Sequence, residues 1–469
     1  MTYDAIIIGG GIGGLTTAFR LRQRAPHARI AVLEAAARFG GVVATQRSPG
    51  LTLELGPDSL IRTKPAGMEL IADLGLSALV QDTDPRFRSS LIARGNRLLP
   101  VPDGLYLLAP GRWLPFLRSP LVSWAGKLRM GLDLVLPRGP AAKGEDESLA
   151  AFVRRRLGRE ALERIAQPMI GGIYTADPEQ LSLPFTMPQF VAMEREHRSL
   201  LLAMRARSRN QAANAGASGP RYGLFASLQG GLQTLTDALI ARLHDCELRA
   251  DCAVTGLSRT ATGWAVMTSQ GRLESTTVAI CAPAHVAGRL LTGVDAALAT
   301  QCHAVPYAGV ATVNLVYDRA AIPALPPAAG FVVPAVEGRS LIAASFCHQK
   351  YAGRSPDDRV VIRAFVGGAS HASRLEVDDA HLLAALTHDL RELLGITVPP
   401  LTTVISRWTA AMAQPIIGHR ERLAAIRAAE HLIPSLALVG NGYEGVGVPD
   451  IIAQAQTAAS RLAFRINPA

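Results

Sequence analysis

The sequence predicts an α/β protein in which a dinucleotide-binding domain is interrupted by a mixed-sheet domain and a helical insertion. Three observations carry this expectation. A strand, a glycine-rich loop, a helix and a second strand follow one another between Met1 and Thr45. The stretch from Glu147 to Arg209 keeps helical periodicity with no sheet signal. From about Leu298 onward the pattern returns to alternating strands, and the chain closes on a further strand, glycine loop and helix.

The opening unit is the most specific. Tyr3 to Ile8 is a nearly continuous apolar run, as in a strand covered on both faces. It leads into Gly9, Gly10, Gly11, Ile12, Gly13 and Gly14, which fit G-x-G-x-x-G at Gly9, Gly11 and Gly14. Leu15, Ala18, Phe19 and Leu21 recur at helical spacing, and Arg29 to Leu33 is a second strand ending at Glu34. In this Rossmann-type arrangement one glycine makes the tight turn, one admits a pyrophosphate to the backbone and one lets helix pack on strand. The helix N-terminus offers N–H donors to phosphate. Glu34 stands where a carboxylate accepts hydrogen bonds from a ribose diol. Arg38, the pair Gly40-Gly41 and Thr45 follow, and a glycine pair again lets backbone come close to a ligand.

Composition bounds the rest. A chain of 469 residues can hold two or three domains. With 49% hydrophobic and 18% charged residues it is a packed globular protein and not a disordered one. The formal charge of +10 suits an acidic small molecule or an anionic membrane surface. Nucleic acid is not expected, because no Lys/Arg run occurs and aromatics are few. Five cysteines without a C-x-x-C pair fit reduced structural thiols of a cytoplasmic protein, and no metal is expected. No signal peptide precedes the first strand. The uncharged stretch Ala296 to Tyr317 reads as a strand region, not a membrane span.

Leu51 to Leu55 alternates as a strand and runs into Gly56, Pro57, Asp58 and Ser59; a helix near Ala66 to Asp73 follows. Ser89 to Val101 holds two strand-like pieces about Arg94-Gly95-Asn96. Between Leu105 and Trp124, tryptophans, arginines and prolines mix with leucines. This segment is either a membrane-interface surface or an inward-facing helical subdomain. Glu194, Glu196, His197 and Arg198 form a solvated or salt-bridged helix face without catalytic duty. Asn210 to Gly219 reads as a mobile linker. Strands then recur at Val254, Val278 to Ala284, Val310 to Tyr317, Gly330 to Val333, Leu341 to Phe346 and Val360 to Val366, with a helix over Asp379 to Leu394. Leu436 to Val439 and a second G-x-G-x-x-G at Gly440 to Gly445 are too near the end for another βαβ unit. They complete the first domain, with Pro449 at a position where proline costs no hydrogen bond.

The run from Glu34 to Gly41 resembles the amine oxidase flavoprotein superfamily. Gly56-Pro57-Asp58-Ser59, Gly172-Ile173-Tyr174 followed by Leu181-Ser182, Gly230-Gly231-Leu232-Gln233 and Gly442 to Asp450 together resemble its oxygen-dependent porphyrinogen oxidases over nearly the whole chain. The resemblance implies an FAD domain of p-hydroxybenzoate hydroxylase-like topology in parts 1–85, 220–290 and 406–469. It implies a substrate domain in parts 86–105 and 291–405, and a helical domain over 106–215 that is the candidate for membrane contact. It implies removal of six electrons from a porphyrinogen in three flavin cycles, with hydride passing to flavin N5, oxygen as acceptor and hydrogen peroxide as product. FAD contacts are expected from Gly9, Gly11, Gly13, Gly14, Glu34, Arg38, Gly40, Gly41, Thr45, Gly56, Pro57, Asp58, Ser59, Val254, Trp408, Gly440, Gly447 and Val448. Gly172 matches a glycine whose carbonyl faces the pyrrole nitrogens, and Arg88 an arginine that pairs with a propionate. Val332 and Phe365 match apolar positions that pack the macrocycle. Ala413-Gln414-Pro415 and the short Gly330-Phe331-Val332 depart from the usual pattern. Coproporphyrinogen III is the expected substrate, with Lys350 and Arg363 supplying charge for its extra carboxylates; protoporphyrinogen IX is the alternative. An amine or phytoene oxidase and a non-catalytic FAD-fold carrier are remoter readings. A cytoplasmic location with peripheral contact on the inner face of the cell membrane, homodimerisation and contact with a downstream chelatase are further expectations.

Overall fold

The computed structural model describes residues 2–213 and 224–467. The fold is mixed α/β and rests on two seven-stranded sheets. In the first, Thr2–Ile8 lies between Ile30–Leu33 and Gly271–Ile280, parallel to both. Glu247–Arg249 extends one edge in parallel, while Trp264–Thr268 and Val254–Arg259 add an antiparallel meander on the other side. Leu436–Leu438 joins Gly271–Ile280 in parallel, so the C-terminal segment completes the sheet that the N-terminus begins.

Both faces of this sheet are covered, which explains its continuous apolar runs. Ala5, Ile7, Ile30 and Val32 meet one layer, containing the helices Ile12–Arg24, Gln233–Arg242 and Val448–Ile466. Ile6, Ile8, Ala31 and Leu33 meet the other, containing Ala284–Leu291, Ala296–His303 and His419–His431. Ala296–His303 corrects the expectation of a strand region there. Asp295 caps it by accepting from Leu298 N at 2.9 Å, and the strand starts only at Tyr307.

The second sheet has the order Thr402–Ala413, Tyr307–Asp318, Arg359–Gly367, Ala343–Phe346, Gly330–Val332, Ser90–Arg94, Arg97–Pro100. Its pairs are antiparallel except Gly330–Val332 with Ser90–Arg94. Strict alternation divides its faces. Val313, Leu315, Ile362, Ala364 and Phe331 pack against the helix Asp379–Leu394. Thr312, Asn314, Arg363, Phe365 and Val332 point the other way. The strand Thr402–Ala413 crosses the junction expected between 405 and 406.

Helices from Trp113 to Ala213 form a separate apolar cluster around Phe116, Phe152, Ile165 and Phe190. Inside it Glu194 is fully buried, not solvated. It takes Arg155 at 2.7 Å and Arg156 at 3.5 Å, and Asp133 also pairs with Arg156. The linker expected over Asn210 to Gly219 begins inside the helix Leu200–Ala213; the remainder lies outside the described residues. All five cysteines are unpaired. Among the described residues no helix is long and apolar enough to cross a membrane.

Candidate active site

The glycines of the first loop are demanded by backbone contacts. A Cβ on Gly14 would lie 1.8 Å from the Gly9 carbonyl oxygen, and one on Gly9, whose φ is +103°, would lie 2.3 Å from Cys281 O. The second glycine run stacks on the first. Gly40 N donates to Gly10 O at 2.8 Å, and a Cβ on Gly41 would come within 3.1 Å of Gly11 Cα. Gly11 begins the helix Ile12–Arg24 with no side-chain cap, so no capping side chain stands between a phosphate and the helix's first N–H groups. Gly13 faces Val439 and Ile451, which brings in the strand and helix that close the chain.

Around this cradle Glu34 accepts from Gly10 N at 2.7 Å and Ala36 N at 2.9 Å. Cys252 N donates to Glu34 O at 2.8 Å, placing the start of Val254–Arg259 beside it. Arg38 donates to the carbonyls of Phe39, Gly41 and Val43, so its guanidinium pins the glycine pair through main chain. Gly440 N donates to Gln454 Oε1 at 3.1 Å. Gly447 N donates to Asp450 Oδ2 at 3.1 Å at the start of Val448–Ile466, and Lys64 Nζ meets that carboxylate at 2.6 Å. Backbone space that any Cβ would fill, beside an uncapped helix N-terminus, fits a dinucleotide pyrophosphate.

The segment Glu54 to Ser59 lies against this cradle. Gly56 sits where a Cβ would be 1.7 Å from Val42 O. Thr45 Oγ1 donates to Glu54 Oε2 at 2.7 Å, and Thr45 N to Gln233 Oε1 at 2.8 Å. Pro57 leads to Asp58, which accepts from Lys350 Nζ at 2.7 Å and has Arg363 Nη1 at 3.6 Å. Burial alone would raise the Asp58 carboxyl, but the charges of Lys350 and then Arg363 outweigh it and hold it well below the usual carboxylate range. Ser59 Oγ accepts from Lys350 at 3.0 Å and from Tyr351 OH at 2.8 Å. Lys350 and Arg363 are therefore buried, at 9% and 3% exposure, with their charge taken up by the protein's own carboxylate. Sequence reasoning assigned that charge to a substrate.

On the side of the second sheet turned away from the helix Asp379–Leu394, Val332 pairs with Ala343, Ala343 with Phe365 and Phe365 with Thr312, so all four lie in one row. Gly172 stands over this row: a Cβ on it would be 3.6 Å from Val332 Cγ1. It occupies the last turn of the helix Gln167–Tyr174, whose final carbonyls a helix does not itself bond. Thr175 N takes Gly171 O, and Gln414 Nε2 takes Tyr174 O at 3.0 Å. Arg88 is half-buried just before Ser90–Arg94, the strand that pairs Ile92 with Val332, and it donates to Thr83 O and Oγ1. Sequence reasoning missed Glu54 and Arg354, a buried pair at 3.0 Å, and the roles of Thr312 and Asn314. Nothing in the local sequence flags them.

The family described as flavin containing amine oxidoreductase matches residues 12–463. A coproporphyrinogen III oxidase of Propionibacterium freudenreichii subsp. freudenreichii is 35% identical over 97% of this chain and 90% of its own length. That of Bacillus subtilis (strain 168) is 31% identical over 97% of each chain. A solved structure from Exiguobacterium sp. 255-15, provisionally assigned as a protoporphyrinogen oxidase, superposes with a TM-score of 0.87 at 28% identity and covers 98% of both chains. The glycine cradle, the closing helix and these matches agree, and the chain belongs to the flavin containing amine oxidoreductase family.

Proposed function

We propose that this FAD enzyme oxidises coproporphyrinogen III to coproporphyrin III with oxygen, releasing hydrogen peroxide. The observation that carries the reading is the apolar row Val332–Ala343–Phe365 under Gly172, its Phe365 on the same strand as Arg363, which donates to Gly56 O of the Gly56–Ser59 turn. The activity named for both bacterial relatives supports it. Bound FAD supplies the electron acceptor for hydride leaving the macrocycle and passes the electrons to oxygen. Val332 and Phe365 pack the ring, since apolar walls bind a porphyrinogen face without competing for its pyrrole N–H groups. Gly172 turns main chain towards those N–H groups; its carbonyl accepts hydrogen bonds that orient them, and their protons leave to solvent. Arg88 holds a propionate through its guanidinium, the geometry suited to a carboxylate.

Aerobic growth of porphyrin fluorescence, with FAD-loaded protein and the two porphyrinogens side by side, tests the assignment. Faster coproporphyrin formation is expected. Faster protoporphyrin formation would move the protein to the alternative substrate, and neither product above the autoxidation blank would refute the porphyrinogen reading.

We also infer peripheral contact with an anionic membrane. Trp124, Leu128, Leu132 and Val135 are 67%, 75%, 50% and 70% exposed and recur at one-face spacing along Trp124–Gly131 and the turn after it. Exposed Arg138 and Arg198 flank the ridge, donating to Arg195 O and Leu134 O. Co-sedimentation with phosphatidylglycerol vesicles is expected, lost in Leu128→Glu and in neutral vesicles; equal binding by the variant would refute the contact.

A further inference from the structure

Four side chains on one side of the second sheet donate to three consecutive carbonyls of the first domain. Asn314 Nδ2 reaches Glu54 O at 3.0 Å, and Thr312 Oγ1 and Trp408 Nε1 reach Leu55 O at 2.7 and 2.8 Å. Arg363 Nη2 reaches Gly56 O. Thr312, Asn314 and Arg363 are 3%, 0% and 3% exposed, so these bonds form away from competing water. The same sheet side carries Val332 and Phe365, with Phe365 paired to Thr312 and Arg363 paired to Asn314. On its far side the segment is equally fixed. Leu55 N donates to Ala44 O at 2.9 Å, and Gly56 abuts Val42 O, within the run that continues the Gly40–Gly41 pair.

We infer that Thr312, Asn314, Arg363 and Trp408 act as a registration clamp: they are positioning residues that fix the cofactor cradle against the substrate-bearing sheet. The two domains meet in other places, but here the contact is main-chain carbonyls on one side and sheet-borne side chains on the other. A shift of the Glu54–Gly56 carbonyls moves the Gly56–Ser59 turn relative to the row Val332–Phe365. The inference rests on the porphyrinogen reading for its substrate, though not for its cofactor arm.

The test compares Thr312→Val, Thr312→Ser and the double variant Thr312→Val/Trp408→Phe as FAD-loaded full chains. The double variant removes both donors to Leu55 O, whereas Thr312→Ser keeps the hydroxyl. Visible circular dichroism of the bound oxidised flavin is read without substrate, and anaerobic flavin reduction is followed in single turnovers. The double variant is expected to retain FAD, alter the visible dichroism and reduce its flavin roughly 10- to 100-fold more slowly, with KM within about twofold, the scale of a misplacement of order 1 Å. Thr312→Ser should match the parent, and Thr312→Val should fall between. Parent dichroism and parent reduction rate in the double variant would overturn the inference. So would a Thr312→Ser as impaired as Thr312→Val, or a double variant that loses FAD or its fold, because the bonds would then hold structure and not alignment. If the parent's flavin is not reduced by either porphyrinogen, the substrate reading fails while the dichroism still decides the clamp.

Discussion

Gly14→Ala isolates the steric argument for the cradle. The added Cβ would sit 1.8 Å from the Gly9 carbonyl oxygen, a backbone atom at the start of the same loop. Relief to the 3.0 Å that real Cβ atoms tolerate means moving that carbonyl by more than about 1 Å, with no flexible side chain to absorb it. Overpacking of this kind costs about 1–3 kcal/mol. Since the carbonyl's movement reshapes the pyrophosphate loop itself, most of that cost falls on FAD affinity, a loss of roughly 5- to 150-fold. Gly13→Ala is the control. Its Cβ would meet side-chain methyls, Ile451 Cγ2 at 3.0 Å and Val439 Cγ1 at 3.1 Å, which can give way. It should keep affinity within about threefold. Flavin content per chain, titration of apoprotein with FAD, and melting with and without FAD supply the readouts. A parent protein held at 100 times Kd gains about 2.7 kcal/mol from the cofactor, and Gly14→Ala should lose most of it. Parent-like FAD binding by Gly14→Ala, or a larger loss in Gly13→Ala, would refute the reasoning.

Lys350→Ala should destabilise the protein by about 3 kcal/mol in urea unfolding. It leaves Asp58 with the Ser59 hydroxyl at 2.6 Å, Arg363 as its one nearby cation at 3.6 Å, and 18% of its side-chain surface open to water. The ratio of the two porphyrinogen activities should stay unchanged; a selective loss of coproporphyrinogen use would restore Lys350 as a substrate cation. His348 gives a pH dependence of known sign. Burial first, then the charge of Arg319, lower its pKa from 6.5 to about 4. The unfolded chain therefore binds its proton first, so stability is full above about pH 6.5 and falls as pH drops towards 4, by at most about 3 kcal/mol. His348→Gln should flatten that slope in urea midpoints, and an unchanged slope would assign the acid sensitivity elsewhere.

What could be read from the sequence was whatever the local chain determines. The helix Asp379–Leu394 was legible at both ends, because Asp378 caps it by accepting from His381 N and Gly395 at φ +70° stops it. The glycine cradle was legible for the same reason: backbone approach to phosphate demands glycines at fixed offsets. Lys350 and Arg363 were misdirected because their partner Asp58 is 292 positions from Lys350, and no local pattern reports a pairing at that distance. For the face of Glu194, Glu196, His197 and Arg198 the sequence left solvated and salt-bridged open, and Glu194 is the salt-bridged case: Arg155 and Arg156 from a different helix close over it while the other three are exposed. Thr312 and Asn314 carry no signal at all. In an alternating strand they are merely the polar positions, and what they bond is set by tertiary packing.

The charge of the chain then acquires a location. Arg155, Arg156, Lys350, Arg354 and Arg363 are wholly or partly buried, and they meet Glu147, Glu194, Asp133, Glu54 and Asp58. These five cations cancel these five carboxylates, so the formal excess of +10 resides in groups closer to solvent. Under the proposed function, discrimination between four and two substrate carboxylates would then fall to half-buried cations, Arg88 as proposed above among them, and not to the core pair beside Asp58. Such charges are screened by salt, with a Debye length of about 10 Å at 0.1 M. KM for coproporphyrinogen III should therefore rise roughly three- to tenfold between 0.05 and 0.5 M salt. The rise should be steeper than for protoporphyrinogen IX and shallower in Arg88→Ala. Equal slopes for the two substrates would mean that shape alone, through the row under Gly172, makes the choice.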